Sequence, residues 1–266
     1  MNSAAPIEPP HVSRGALRFF THYTRGYLGR NFHSFRILTA ALPPQEIGGS
    51  LVIYLNHASW WDPLVCLVLA QEYFPERTSY APIDATMLKR YAFFRKLGFF
   101  GVQQGTARGG ISFLRMARAL LASSHNALWL TPQGRFTDGR ERPLRLQEGL
   151  GALAAREPNA TFLPLAIEYA FWTEPKPEIL AAFGEPVIPA DAPSCSPAEW
   201  THIFASTLAA TQDELAARSC ARNPTDWKPV LRGSSGVHKV YDSWRWLRAR
   251  VRGERFVAGH QPDLSR

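Results

Sequence analysis

Leu51-Val-Ile-Tyr-Leu-Asn56-His57-Ala-Ser-Trp60-Trp61-Asp62-Pro63 is the stretch that decides the fold. Five apolar residues in a row are too few for a helix and suit a strand buried on both faces. Such a strand delivers His57 to its carboxyl end, the place where open α/β sheets build their sites. Asp62 followed by Pro63 has the form of a helix start, with proline in the first turn. Taken singly, Asp62 reads as a helix cap and His57 as a satisfied loop histidine. Taken together, a tight turn between them can bring the carboxylate onto one imidazole nitrogen and leave the other free as a base.

Working outward, short apolar runs alternate with longer helical ones. Strands are expected over 51–55, 79–82, 99–103, 127–131, 161–169 and 179–183. Helices are expected over 63–73, 86–96, 109–122, 146–156 and 197–218. This is the pattern of an α/β protein with a mostly parallel or mixed central sheet flanked by helices. No repeat or long linker interrupts it, so residues 48–220 read as one domain. The chain has 266 residues, enough for a substantial core.

The ends differ from the middle. Residues 1–13 read as a disordered start, and 14–47 as an amphipathic interfacial helical segment. At 100° per residue, Arg14, Arg18 and Arg25 fall within about 40° of one another, opposite Ala16, Phe20, Tyr23 and Tyr27. An interfacial helix arranges its side chains in that way, and so does a helix packing its aromatic residues onto a domain. Residues 221–266 read as a basic Trp/Arg-rich C-terminal helix and tail. Arg222 to Arg255 hold nine Lys or Arg against three acids, so six of the chain's eight net positive charges lie there. Val237, Val240, Tyr241, Trp244, Leu247 and Val251 share one helical face, which fits a membrane-contacting helix or a capping one.

A basic excess calls for an anionic partner, whether nucleic acid, a membrane surface or an acidic carrier. The aromatic and basic residues lie on opposite helix faces, and no zinc-finger, helix-turn-helix or RNP signature occurs, so no nucleic acid is expected. Leu64 to Ala70 is the longest apolar run, far short of the ~20 residues of a spanning helix. Residues 1–10 lack the form of a secretory signal. Three cysteines without metal or redox spacing point to a reducing compartment and no metal site. No G-x-S-x-G, H-E-x-x-H or G-x-G-x-x-G occurs, against hydrolase, zinc-protease and dinucleotide readings. Gly105 to Gly110 ahead of a helix reads as an anion-binding turn or a flexible loop. The charged stretch Arg135 to Pro143 reads as an exposed loop or a flap.

Four blocks carry a resemblance. Asn56, His57 and Asp62 match N-H-x4-D. Gly98-Phe-Phe-Gly-Val-Gln-Gln104, Pro132-Gln133-Gly134-Arg135 and Phe162-Leu-Pro164-Leu-Ala-Ile167 follow in order, and Phe183-Gly-Glu-Pro-Val187 comes after them. Over residues 48–190 the chain resembles the glycerolipid and lysophospholipid acyltransferases of the 1-acylglycerol-phosphate (PlsC-like) type. The resemblance implies O-acyl transfer from acyl-CoA or acyl carrier protein to a lipid hydroxyl, with His57 as general base oriented by Asp62. It needs no cofactor beyond the acyl donor as co-substrate. The surplus positive charge of the two end segments is expected to hold the catalytic domain on the cytoplasmic face of the membrane as a peripheral protein. The acceptor pocket is expected to include Gln104, Arg108, Pro132, Gln133, Gly134 and Arg135.

Two departures bear on the acceptor. Where phosphate-accepting members carry an arginine, this chain has Gln104. Where they read Pro-Glu-Gly-Thr-Arg, it reads Pro132-Gln133-Gly134-Arg135-Phe136. Arg135 or Arg108 could restore a phosphate contact, or the acceptor carries no phosphate. An inactive relative serving as a scaffold is the remaining alternative, opposed by an intact His57 and Asp62.

Overall fold

The computed structural model describes residues 8–192 and 194–233. The expected sheet is present and larger than the sequence implied. Among the described residues eight strands stand in the order β4-β3-β5-β2-β6-β7-β1-β8. In chain order they are β1 (Ser34–Leu38), β2 (Leu51–Leu55), β3 (Thr78–Asp84), β4 (Phe99–Val102), β5 (Asn126–Leu130), β6 (Thr161–Ala170), β7 (Glu178–Phe183) and β8 (Trp227–Arg232). Strands β4, β3, β5, β2 and β6 run parallel. Strand β7 is antiparallel to β6, β1 is parallel to β7, and β8 closes the edge antiparallel to β1.

Six α-helices accompany the sheet in the described residues: α1 (Arg14–Asn31), α2 (Asp62–Tyr73), α3 (Ala85–Arg90), α4 (Ala107–Leu121), α5 (Gly149–Ala154) and α6 (Pro197–Ala221). Strand β2 alternates its side chains between two cores. Leu51, Ile53 and Leu55 pack with Leu28 of α1 and Val65, Val68 and Leu69 of α2. Val52 and Tyr54 face the other way, against Leu120 of α4, Leu153 of α5 and Phe204 of α6. With neighbours on both edges and helices on both faces, β2 is buried at every position, which is why it reads as an unbroken apolar run.

Helix ends follow local chemistry. Ser196 and Glu199 form a reciprocal capping box with Pro197 in the first turn of α6. Thr106 caps α4, its hydroxyl accepting the Gly109 N–H at 3.0 Å. The Gly105–Gly110 segment is thus a capped helix start.

Three expectations change. The segment 14–47 is not helical throughout: α1 ends at Asn31, and Ser34–Leu38 joins the sheet between β7 and β8. The sheet therefore draws on residues outside 48–220. Residues 221–233 are likewise not the start of a tail helix. Helix α6 runs to Ala221, a single 3-10 turn follows, and β8 pairs with β1. Pro229 is tolerated there because β8 is an edge strand. Finally, residues 8–13 are tied down in irregular structure. Val12 packs against the second core, and Ser13 caps α1 while its N–H donates to the Lys96 carbonyl at 2.9 Å. The apolar stripe expected at 237–251 lies outside the described residues.

Helix α1 buries Thr21, Thr24 and Leu28. Arg25 turns toward α2 and pairs with Glu72 at 3.0 Å, so the expected basic face is split. Phe20 and Tyr27 pack inward on rings of Phe93 and Trp61, while Phe19 and Tyr23 face outward.

Candidate active site

The parallel strands β4, β3, β5, β2 and β6 point their carboxyl ends the same way, and the loop after β2 lies at that end. Asn56 fixes its start. The Asn56 side chain donates to the Ile167 carbonyl and accepts the Ile167 N–H, both at 2.9 Å, tying the end of β2 to β6. His57 follows, partly buried.

Asp62 opens α2, and its carboxylate does not cap that helix. Oδ2 accepts the Ser59 N–H at 3.0 Å and contacts His57 Nδ1 at 2.8 Å. Oδ1 accepts the Tyr169 hydroxyl at 2.6 Å. An oxygen that accepts from a backbone N–H is an acceptor toward the imidazole as well, so Nδ1 carries the proton and Nε2 is the free basic nitrogen. Asp62 is 1% exposed, and a carboxylate so buried needs the three donors it has.

Tyr169 is the residue that sequence reading missed. It lies on β6 two positions beyond Ile167, on the face shared by Leu163, Leu165 and Ile167, which packs on α2. Burial and the neighbouring Asp62 charge push its phenol well above the ordinary value, so it stays a donor. Alternation along β6 gives its face; only the pairing of β6 with β2 places it beside Asp62. Cys66 lies one helical turn after Asp62, and burial together with the Asp62 charge pushes its thiol up, so it remains protonated.

The turn after β5 supplies a second support. Gln133 is buried, and its Oε1 accepts the His57 N–H at 2.7 Å. It holds the backbone of the histidine, whereas the sequence suggested contact with the acceptor. Either glutamine or glutamate can place an oxygen there, so the departure from the usual carboxylate preserves this hydrogen bond. Gly134 follows at φ 68°, a left-handed conformation that glycine adopts without strain. Pro132 is buried and its carbonyl accepts the Gln147 N–H at 2.8 Å.

The 135–143 loop then passes over the histidine. Thr137 N–H donates to the His57 carbonyl at 2.8 Å, and the Phe136 ring lies 4.3 Å from the imidazole. Arg142 pairs with Asp213 of α6, anchoring the far side of the loop. Arg135 is exposed and pairs with Glu141 at 2.7 Å. Gln104 and Arg108 are exposed at the end of β4 and in the first turn of α4. Strand β4 lies three places from β2 in the sheet, which at ~4.8 Å per strand is about 14 Å. The structure thus brings His57, Asp62 and Gln133 together, leaves Gln104 and Arg108 toward the sheet edge, and engages Arg135 elsewhere.

Trp61 packs edge-on against Phe32 and beside Tyr27, while Trp60 is 62% exposed next to it. Among the described residues no three His, Cys, Asp or Glu side chains are grouped to hold a metal ion. No described helix is long and apolar enough to cross a membrane. A concavity of about 400 Å³ beside Arg77 lies at the opposite end of the sheet. There the guanidinium donates to the Ile47, Gly49 and Ser124 carbonyls, a structural staple with its donors engaged.

An imidazole with one nitrogen held by a buried carboxylate, on a loop at the carboxyl ends of a parallel sheet, is an arrangement that can take up a proton at its other nitrogen. The acyltransferase family model matches residues 35–168, just over half of the chain, and the chain belongs to that family. No curated protein matches it significantly.

Proposed function

We propose that the protein moves a fatty acyl group from a thioester, acyl-CoA or acyl carrier protein, to a hydroxyl of a lipid acceptor such as a lysophospholipid. The His57–Asp62 pair at 2.8 Å carries this reading. His57 Nε2 takes the proton of the acceptor hydroxyl as its oxygen attacks the thioester carbon. The resulting tetrahedral adduct expels the thiolate, the C–S bond breaks, and the imidazolium returns the proton to sulfur. The products are an ester and a free thiol, with His57 regenerated. Asp62 holds the tautomer and offsets the imidazolium charge, and general-base assistance of this kind contributes ~10²–10⁴-fold. The reaction written in this way uses no cofactor.

The acceptor turns on charge. Gln104 is neutral and Arg135 already has a carboxylate partner, so Arg108 is the remaining cation of the expected pocket for a phosphate. A lipid alcohol or glycolipid without phosphate suits this pocket as well as lysophosphatidic acid does. The place of action is the cytoplasmic surface of an anionic membrane, held peripherally. Thiol release from palmitoyl-CoA and from palmitoyl carrier protein, measured across lysophosphatidic acid, other lysophospholipids and lipid alcohols, tests the proposal. Acceptor-dependent release is the expected result. Absence of acceptor-dependent release with both donors across the panel overturns the reading, and turnover with lysophosphatidic acid assigns phosphate recognition despite Gln104.

A further inference from the structure

Aromatic rings run in one chain of contacts across the surface that α1 shares with residues 85–97. Tyr91 meets Phe94, Phe94 meets Phe20, and Phe20 meets Tyr23, with centroids 5.9, 6.5 and 6.1 Å apart. The chain continues from Tyr23 through Tyr27 to Trp61 and Trp60, at 5.7, 5.3 and 5.3 Å. Its inner end is the loop that carries His57. Its outer part is open: Tyr23, Tyr91 and Phe93 are 43–50% exposed, and one helical turn from Tyr23 and Tyr91 stand Phe19 and Met87, 70% and 42% exposed.

Exposed aromatic residues on a single face are unusual enough to need a partner. The pattern on α1 is also inverted, with threonines 21 and 24 buried beneath Phe19 and Tyr23 on the solvent side. Charge indicates what the partner is. Lys89, Arg90, Arg95 and Lys96 are exposed within the same stretch, and none is in an ion pair among the described residues. The only acid from 84 to 97 is Asp84, whose carboxylate is occupied by the Thr86 and Met87 N–H groups. Rings flanked by unpaired cations match the boundary of a bilayer, where apolar groups enter and phosphates meet ammonium and guanidinium groups.

We propose that this composite face, Phe19 and Tyr23 of α1 together with Met87–Lys96, seats on an anionic lipid bilayer. It places Trp60 and the His57 loop at the inner end of the docked surface, so that a lipid acceptor reaches the base without leaving the interface. The proposal deepens the acyl-transfer reading and rests on it for the acceptor, while docking itself is measured separately. Because the face includes α3 and the 3-10 turn at 92–97, its apolar contacts come largely from outside the N-terminal helix.

The test is flotation of the full chain with phosphatidylcholine vesicles, with and without phosphatidylglycerol, at low and high salt. Wild type is expected to float with the anionic vesicles at low salt. Tyr91→Ser with Phe93→Ser is expected to lower partitioning at least tenfold. Lys89→Ala, Arg90→Ala, Arg95→Ala and Lys96→Ala combined should erase the preference for anionic vesicles. Ile188→Ser, which removes an exposed apolar residue near the start of β6 at the opposite end of the sheet, should change nothing. All variants keep the basic 234–266 segment, so their loss assigns binding to this face.

Failure of wild type to float, or flotation of the aromatic variant like wild type, overturns the proposal. So does loss of binding to an acidic acyl carrier protein in the same variants while flotation persists, which would give the face to the carrier. Thiol release from hexanoyl-CoA to a soluble short-chain acceptor, measured without vesicles, separates the two readings. It should be unchanged in the surface variants if docking alone is lost. If wild type shows release neither here nor across the palmitoyl panel, the acyl-transfer reading falls while the flotation result stands.

Discussion

Asp62→Asn isolates what the carboxylate charge does for His57. Three donors converge on Asp62: the His57 Nδ1–H and Ser59 N–H on Oδ2, and the Tyr169 hydroxyl on Oδ1. Asparagine offers one oxygen and one NH2 group. The Ser59 N–H cannot turn away, so the carboxamide oxygen takes the Oδ2 position and continues to accept from His57. The NH2 then faces Tyr169, whose hydroxyl can rotate to accept. The tautomer is therefore retained and the charge alone is removed. At an effective dielectric constant of ~20, unit charges ~4 Å apart attract by about 4 kcal/mol. The imidazolium of the transition state loses that amount, and at ~1.36 kcal/mol per tenfold the rate falls about 10³-fold. Acceptor-dependent thiol release measures kcat, and a thermal melt by circular dichroism confirms the fold. Activity within tenfold of wild type in a folded Asn variant refutes the reasoning.

Three further outcomes follow from the same geometry. Tyr169→Phe leaves Asp62 Oδ1 without its donor and should cost about 1.5–3 kcal/mol of stability in urea unfolding, with a smaller loss of rate than Asp62→Asn; an unchanged midpoint contradicts it. Gln133→Leu strands the buried His57 N–H at ~1–3 kcal/mol and should lower kcat, whereas Gln133→Glu keeps an acceptor and should retain more activity; equal losses in both remove the role given to Gln133. Glu178 fastens β7 to β1. Burial pushes its carboxyl up, but His33, Ser34 and Arg36 outweigh this and hold it below the ordinary carboxylate range. A carboxyl lowered by folding stabilises above its unfolded value and loses that contribution as pH falls through the folded one. Unfolding free energy should therefore drop below about pH 4.5 more steeply in wild type than in Glu178→Gln, and parallel pH profiles would count against it.

The sequence was legible wherever one local pattern determined the outcome. The run at 51–55 is buried on both faces and needed no partner to be read as a strand, and N-H-x4-D placed the base at its end. What escaped depends on pairing across the chain. Ser34–Leu38 follows so closely on an aromatic helix that it reads as the helix's continuation, and its strand character comes from β7 and β8, about 140 and 190 residues away. Trp227–Arg232 carries a proline and two cations because it is an edge strand, and that composition resembles a tail. Tyr169 is visible as a strand residue and invisible as a partner of Asp62. Gln133 and Arg135 are separated only by Gly134, yet the turn sends one inward to the His57 backbone and the other outward to Glu141.

The central claim is that His57 is the base, and His57→Ala tests it most directly. Acceptor-dependent thiol release from palmitoyl-CoA is measured on a variant whose melting curve matches wild type. The account predicts that transfer falls by about the ~10²–10⁴-fold assigned to the base while the fold stays intact. A folded His57→Ala protein with full activity would contradict it.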